Sequence, residues 1–186
     1  MMDEKLGTLE IADDGTAVLR YLRHYPHPVA AVWRALTDPE QTKLWWAQAR
    51  GELVPGGRWD LRWLNTPPGE APMDWWTGSV VELQPERLFV VQNSAHGLLR
   101  WELRPVPGAG RDGGEGTELR FSCSLAVPEL ARTDLSSNLA GWHVHLDHLA
   151  SVLDGGSIDW ANWYRVHLPA WTALKPRYDE AVSAAS

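Results

Sequence analysis

Five apolar residues set the strictest limit on how this chain can fold. Leu139, Trp142, Leu146, Leu149 and Leu153 follow one another at intervals of 3, 4, 3 and 4, which on an α-helix makes one continuous apolar stripe. A helix over 135–154 carrying such a stripe must bury it against a second layer. Gly155 and Gly156 supply its C-terminal stop.

The segments before it read as that second layer. In 58–64, Trp59, Leu61 and Trp63 alternate with Arg58, Asp60 and Arg62. In 98–104, Leu99, Trp101 and Leu103 alternate with Arg100, Glu102 and Arg104. In 117–125, Thr117, Leu119, Phe121, Cys123 and Leu125 form the inward set. A period of two means half-buried strands, whose charged sets read as the solvated side of the sheet. Residues 7–25 read as two strands around Asp13-Asp14-Gly15, and 75–84 and 87–93 as two more whose inward parity stays open. Trp75 and Trp76 begin the first of these, and one of them must point inward. Hairpin-length loops make the sheet antiparallel.

Two short helices interrupt the strands. Pro28 suits a first helical position, and Val29, Val32, Trp33 and Leu36 share one face. Thr37-Asp38-Pro39-Glu40 restarts the chain, with Thr37 or Asp38 as cap, and the second helix ends around Trp45-Trp46. Beyond the long helix, Trp160, Trp163, Tyr164, Trp171, Leu174 and Tyr178 continue a helical period broken at Pro169 and Pro176. The expected organisation is one α+β domain over 1–156 and a C-terminal extension, 157–186, of two short helices packed on it.

Charge and composition remove several functions. Lys and Arg number 17 against 24 Asp and Glu, a net charge of −7. Without a basic run the chain lacks the phosphate-neutralising patch of a nucleic-acid binder and the basic face of a membrane-surface helix. Cys123 is the single cysteine, which excludes an internal disulfide and a Cys-rich zinc site. The N-terminus has no apolar signal segment, and a cytoplasmic location is expected. Twelve tryptophans stand beside four Tyr and two Phe. Trp is large and carries a polar N–H, so many of these should line a groove, a cavity or a contact surface.

Several motifs dissolve on inspection. Gly108-Ala109-Gly110-Arg111-Asp112-Gly113 spells a dinucleotide fingerprint, but a strand follows it where a helix is needed, so it reads as a hairpin loop. His143, His145, Asp147 and His148 divide between opposite flanks of the stripe and give at most two ligands per face. They read as solvated flanks, and neither metal nor cofactor is expected. His145 differs, because it lies beside Leu149 at the edge of the stripe and can reach the interior. No Gly-x-Ser-x-Gly elbow occurs, and Cys123 reads as a small inert hydrophobe.

The element order and a set of local signatures resemble the helix-grip superfamily of START and Bet v 1-like domains. The branch most similar is the one named after the C-terminal domain of the activator of Hsp90 ATPase. The resemblance rests on 27–40 (His-Pro-Val-Ala-Ala-Val-Trp-Arg-Ala-Leu-Thr-Asp-Pro-Glu), Leu44-Trp45-Trp46, Gly56-Gly57-Arg58-Trp59, 78–83, 116–119 and Ala140-Gly141-Trp142. It implies a curved antiparallel sheet gripping the last helix around a hydrophobic cavity. Members bind lipids or other apolar molecules, and some cyclise polyketides. The Hsp90 activator's further N-terminal domain has no counterpart here, so an Hsp90-activating role is not expected.

The expected function is binding of a small hydrophobic, aromatic ligand in an internal cavity. Its expected walls are Trp45, Trp59, Trp63, Trp75, Thr77, Ser79, Trp101, Phe121, Trp142, His145, Leu146 and Leu149. One alternative is a cyclase or dehydratase with His145 as general acid–base and Thr77 or Ser79 orienting the substrate. Another is a protein-interaction module presenting Trp160, Trp163 and Trp171. The chain is expected to be a monomer or a homodimer, with no nucleic-acid or membrane partner.

Overall fold

The computed structural model describes residues 6–126 and 132–184. The chain forms β1 (Thr8–Ile11), β2 (Thr16–Tyr25), α1 (Val29–Thr37), α2 (Pro39–Trp45), β3 (Ala47–Gly51) and β4 (Trp59–Trp63). There follow β5 (Gly78–Gln84), β6 (Leu88–Asn93), β7 (Gly97–Val106), β8 (Gly116–Ala126) and the long helix α3 (Arg132–Leu153). A 3₁₀ turn (Trp160–Asn162), α4 (Trp163–Val166) and α5 (Leu168–Ala184) complete it. This is the α+β helix-grip architecture.

Six strands form one antiparallel sheet in the order β1-β2-β8-β7-β6-β5. β3 and β4 make a separate hairpin, tied to β5 by bridges at Arg58–Ser79 and Leu61–Trp76. A bulge between Val80 and Glu82 breaks the β5–β6 register, and bulges of this kind bend a strand and sharpen its twist. The sheet holds α3 through two tyrosines of β2. The Tyr21 hydroxyl donates to the Leu139 carbonyl at 2.7 Å, and the Tyr25 hydroxyl donates to that of Leu146 at 3.1 Å.

Local rules account for most boundaries. Gly15 takes φ +82° in the β1–β2 turn, a conformation that costs glycine nothing. Asp38 caps α2, its Oδ1 accepting from the Glu40 N–H at 2.8 Å. Thr37 does not share that task, because its hydroxyl donates to the Trp33 carbonyl. β3 is an element the sequence pattern did not reveal. Ala47-Gln48-Ala49-Arg50-Gly51 has little strand propensity, and its pairing with β4 holds it extended.

The C-terminal segment departs from expectation at Pro176, which lies inside α5 rather than ending a helix. Leu174, Tyr178 and Val182 are buried against the domain on either side of it. That packing outweighs the local penalty of about 3 kcal/mol for an interior proline. Pro169 sits in the first turn of α5, where its missing N–H is harmless. No helix among the described residues is long and apolar enough to cross a membrane.

Candidate functional site

The inward side chains of β4, β7, β8 and α3 meet between sheet and helix, and aromatic rings fill the space. Trp101 lies on Phe121 with centroids 3.9 Å apart, and Phe121 on Trp142 at 4.5 Å. Trp46 contacts both Trp101 and Trp142, at 5.7 and 5.5 Å. Trp45 and Trp59 are fully buried beside them, as are Leu146 and Leu149 of the stripe. The expected hollow among Trp45, Trp59, Trp101, Phe121, Leu146 and Leu149 is therefore packed with their own side chains. Indoles are bulky enough to fill a sheet–helix gap that smaller residues would leave open. The indole N–H of Trp45 donates to the Ala35 carbonyl at 2.8 Å. Those of Trp46, Trp59 and Trp101 have no acceptor among the described residues.

Open space begins where this cluster ends. A cavity of about 240 Å³ lies at the junction of α3, the end of β4, the β6–β7 turn and the C-terminal helices. Its α3 wall is Ser137, Asn138, Gly141, Trp142 and His145, positions that share one helical face. Trp63 and Asn65 close it from β4, His96 from the β6–β7 turn, and Trp163 and Trp171 from the extension. Trp63, Trp142 and His145 are thus the expected site residues that the structure brings together.

Each wall is fixed by its own contacts. Asn93 Oδ1 accepts from the N–H groups of Ala95 and His96 and so shapes the β6–β7 turn. The His96 ring then stands edge-on to Trp63, Trp76 and Trp142 at 5.0, 5.1 and 5.8 Å. Burial pushes its pKa down to about 4. His145 Nδ1 lies 3.3 Å from the Trp45 carbonyl, so Nδ1 carries the proton and Nε2 the lone pair. Burial, reinforced by His148, holds the His145 pKa well below its ordinary value. The cavity lining contains no Asp, Glu, Lys or Arg, and both imidazoles are neutral at pH 7.

The C-terminal extension is the cavity's outer wall. The Trp171 indole N–H donates to the Ser137 carbonyl at 3.3 Å, and that of Trp160 to the Lys43 carbonyl at 2.9 Å. Trp163 is buried. The three tryptophans expected to form an exposed contact patch thus turn toward the domain, where their N–H groups or ring faces find partners. The same cover explains the histidines. His143 and His148, expected on solvated flanks, are both buried. His143 Nδ1 meets the Tyr178 hydroxyl at 2.8 Å. His148 sits against His167, Trp160 and Trp163, with neither ring nitrogen hydrogen-bonded among the described residues.

Three expected site residues lie elsewhere. Trp75 points away from the interior, against the guanidinium groups of Arg50 and Arg62 at 4.1 and 4.9 Å. Trp76 is the inward member of that pair, edge-on to Trp63. Thr77 is exposed, and Ser79 pairs with Gln92 and bridges to Arg58. Asp60, read as solvated, is fully buried beneath Arg50 and Arg58. Hydrogen bonding from Arg58 lowers its pKa against the desolvation that would raise it. Cys123 is buried, and its thiol is pushed up to about 12 by burial, which makes it unreactive. Among the described residues no three His, Cys, Asp or Glu side chains could hold a metal ion.

Sequence reasoning missed His96, Asn65, Ser137, Asn138 and Gly141. The last three do carry a signal, since with His145 they form a small and polar helical face beside the apolar stripe. His96 and Asn65 come from turns, where no periodicity marks a wall residue.

Comparison with known proteins places the chain. A family model described as activator of Hsp90 ATPase homolog 1-like protein matches residues 26–154. Among solved structures, EF2215 of Enterococcus faecalis, a conserved protein of unknown function, superimposes with a TM-score of 0.68 at 20% identity. That match covers 97% of this chain and 92% of the other. CalU16 of Micromonospora echinospora gives 0.62 at 20% identity, over 100% and 98% of the two chains. DynU16, from the dynemicin biosynthetic locus, gives 0.54 at 22% identity over 78% of this chain and 49% of its own. At these identities the likeness is one of fold. No curated protein matches the sequence.

Proposed function

The chain belongs to the family of activator of Hsp90 ATPase homolog 1-like proteins, a branch of the helix-grip superfamily, and we propose that it binds a small, flat, uncharged aromatic molecule. The helix-grip fold offers a ligand cavity, and in this chain the aromatic-lined space lies at the edge of the sheet–helix interface rather than its centre, whereas a larger groove of about 670 Å³ over β1, β2, β7 and β8 is lined by charged side chains, Arg20, Arg100, Glu102 and Arg120 among them. The observation that carries the reading is the lining of that space: four indoles, two neutral imidazoles and three uncharged polar side chains, with no charged group. Apolar walls with a few fixed polar groups are the usual make-up of a small-molecule site. A charged ligand would lose its hydration here and gain no partner. At about 240 Å³ the space lies below the range of roughly 300–1,000 Å³ typical of drug-sized ligands. A molecule of one or two fused rings suits it.

The histidines favour binding over catalysis. A general acid–base works best with a pKa near the operating pH. Burial, reinforced by His148, holds that of His145 well below its ordinary value, away from that range. Thr77 and Ser79, the substrate-orienting groups of the enzyme alternative, do not line the cavity.

Titration of 1-naphthol followed by intrinsic fluorescence and by calorimetry tests the reading. A saturable change with one site is expected, with 1-naphthoate and the 1-naphthylmethylammonium ion much weaker. A flat response to 1-naphthol and to smaller phenols in both measurements overturns it.

A further inference from the structure

Gly141 is the one feature of the cavity wall that neither backbone geometry nor packing requires. It stands in the interior of α3, where glycine weakens a helix relative to alanine. It is absent from the glycines with positive φ, so no unusual backbone conformation calls for it. Other glycines are held by crowding: a Cβ on Gly51, Gly78 or Gly97 would meet backbone oxygen at 2.3 Å or less. A Cβ built on Gly141 meets only the Trp171 indole nitrogen, at 4.0 Å, which is ordinary contact. A side chain at 141 would fit the fold. It would also stand in the cavity, because Gly141 lines it between Asn138 and Trp142.

We propose that Gly141 is the specificity-determining residue of this site. A side chain at 141 would stand in the cavity beside the Trp171 indole nitrogen, so its absence leaves that strip of the α3 backbone open to the edge of the ligand's ring. The inference rests on the binding reading above and adds a size limit to it. A single fused bicyclic, uncharged and bearing a hydroxyl, is the class that uses the full depth, and a lone six-membered ring leaves part of it empty. One extra carbon in an apolar pocket changes affinity by roughly 10–200-fold, so a methyl group at 141 is enough to be read.

The test compares phenol and 1-naphthol on the wild-type chain and on Gly141→Ala. The variant should melt at or above the wild-type temperature, bind 1-naphthol about tenfold more weakly, and keep phenol within about threefold. Gly141→Ala combined with Trp171→Phe, which trims the facing indole, should recover most of the 1-naphthol affinity. A loss that came only from altered helix stability would not be rescued in this way. Equal 1-naphthol affinity in wild type and Gly141→Ala overturns the size limit and leaves the binding reading standing. A lowered melting temperature for Gly141→Ala shows that the space is not free, and also overturns it. Failure of the wild-type chain to bind either probe overturns the binding reading, and the size limit with it.

Discussion

The imidazole of His145 lies flat on the indole of Trp63, with ring centroids 4.6 Å apart and planes 19° from parallel. The pair joins α3 to the end of β4 and makes a planar wall of the cavity. Trp63→Ala removes both a stacking surface for the ligand and the support of His145. Aromatic contacts are worth about 0.5–1.5 kcal/mol beyond area burial, so a roughly tenfold loss of 1-naphthol affinity is expected. Trp63→Phe keeps the stack and most of the affinity. Calorimetric titration of the two variants gives the comparison, and equal affinity in Trp63→Ala would show that the ligand does not touch this wall.

Trp101 gives the opposite result. It packs on Phe121, Trp45, Trp46 and Trp142 but does not line the cavity. Trp101→Ala should cost about 3–5 kcal/mol of stability through the void it leaves. Urea unfolding measures that loss. Where the variant is still folded, its 1-naphthol affinity should fall less than that of Trp63→Ala, because Trp101 reaches the cavity only through Trp142.

Acid should unfold the chain through its buried rings. Burial is the largest cause that brings His96, His143 and His148 down to about 4, whereas in the unfolded chain they titrate near 6.5. Between these values the unfolded state holds more protons than the native state. Their contribution is therefore fully present above about pH 6.5 and is lost as pH falls toward about 4. Each ring contributes on the order of 3 kcal/mol across that window. The urea midpoint should fall steadily from pH 6.5 to 4. His148→Leu, which replaces a ring with two unpartnered nitrogens, should be at least as stable at pH 7 and show a flatter profile. An unchanged slope in that variant would mean that His148 is hydrated in the native state.

Tyr178 should hold the C-terminal helix in place. Its hydroxyl oxygen accepts from the Gly7 N–H at 2.9 Å, and the same hydroxyl donates to His143 Nδ1 at 2.8 Å. Tyr178→Phe leaves the buried Gly7 N–H without a partner, at a cost of about 1–3 kcal/mol. Proteolysis near Gly155-Gly156, followed by mass spectrometry, should show faster cutting in the variant. A rate equal to wild type would mean that α5 is secured by its apolar face alone.

The large elements were legible because periodicity is a local property. The stripe from Leu139 to Leu153 and the alternations around Trp101 and Phe121 specify α3, β7 and β8 whatever else surrounds them. What depends on distant partners was not legible. Asp60 alternates like a solvated residue, yet Arg50 and Arg58 close over it. Trp75 and Trp76 are chemically alike, and only the Leu61–Trp76 bridge decides which turns inward. His143 and His148 look like flank residues until the extension covers them. The cavity followed the same rule. Abundant tryptophan spoke for an aromatic lining, but whether the indoles surround a space or occupy it is set by their mutual packing. Of the expected walls, Trp63, Trp142 and His145 border the aromatic-lined cavity.

The ring cluster at the centre has an optical consequence. Trp45, Trp46, Trp101 and Trp142 lie within 6 Å of one another along a connected chain of contacts, near enough for excitation to hop between them before emission. Trp142 is also the member that borders the cavity. A quenching guest that touches this single indole drains light absorbed by its buried neighbours, so the whole cluster works as an antenna whose outlet is the mouth of the site.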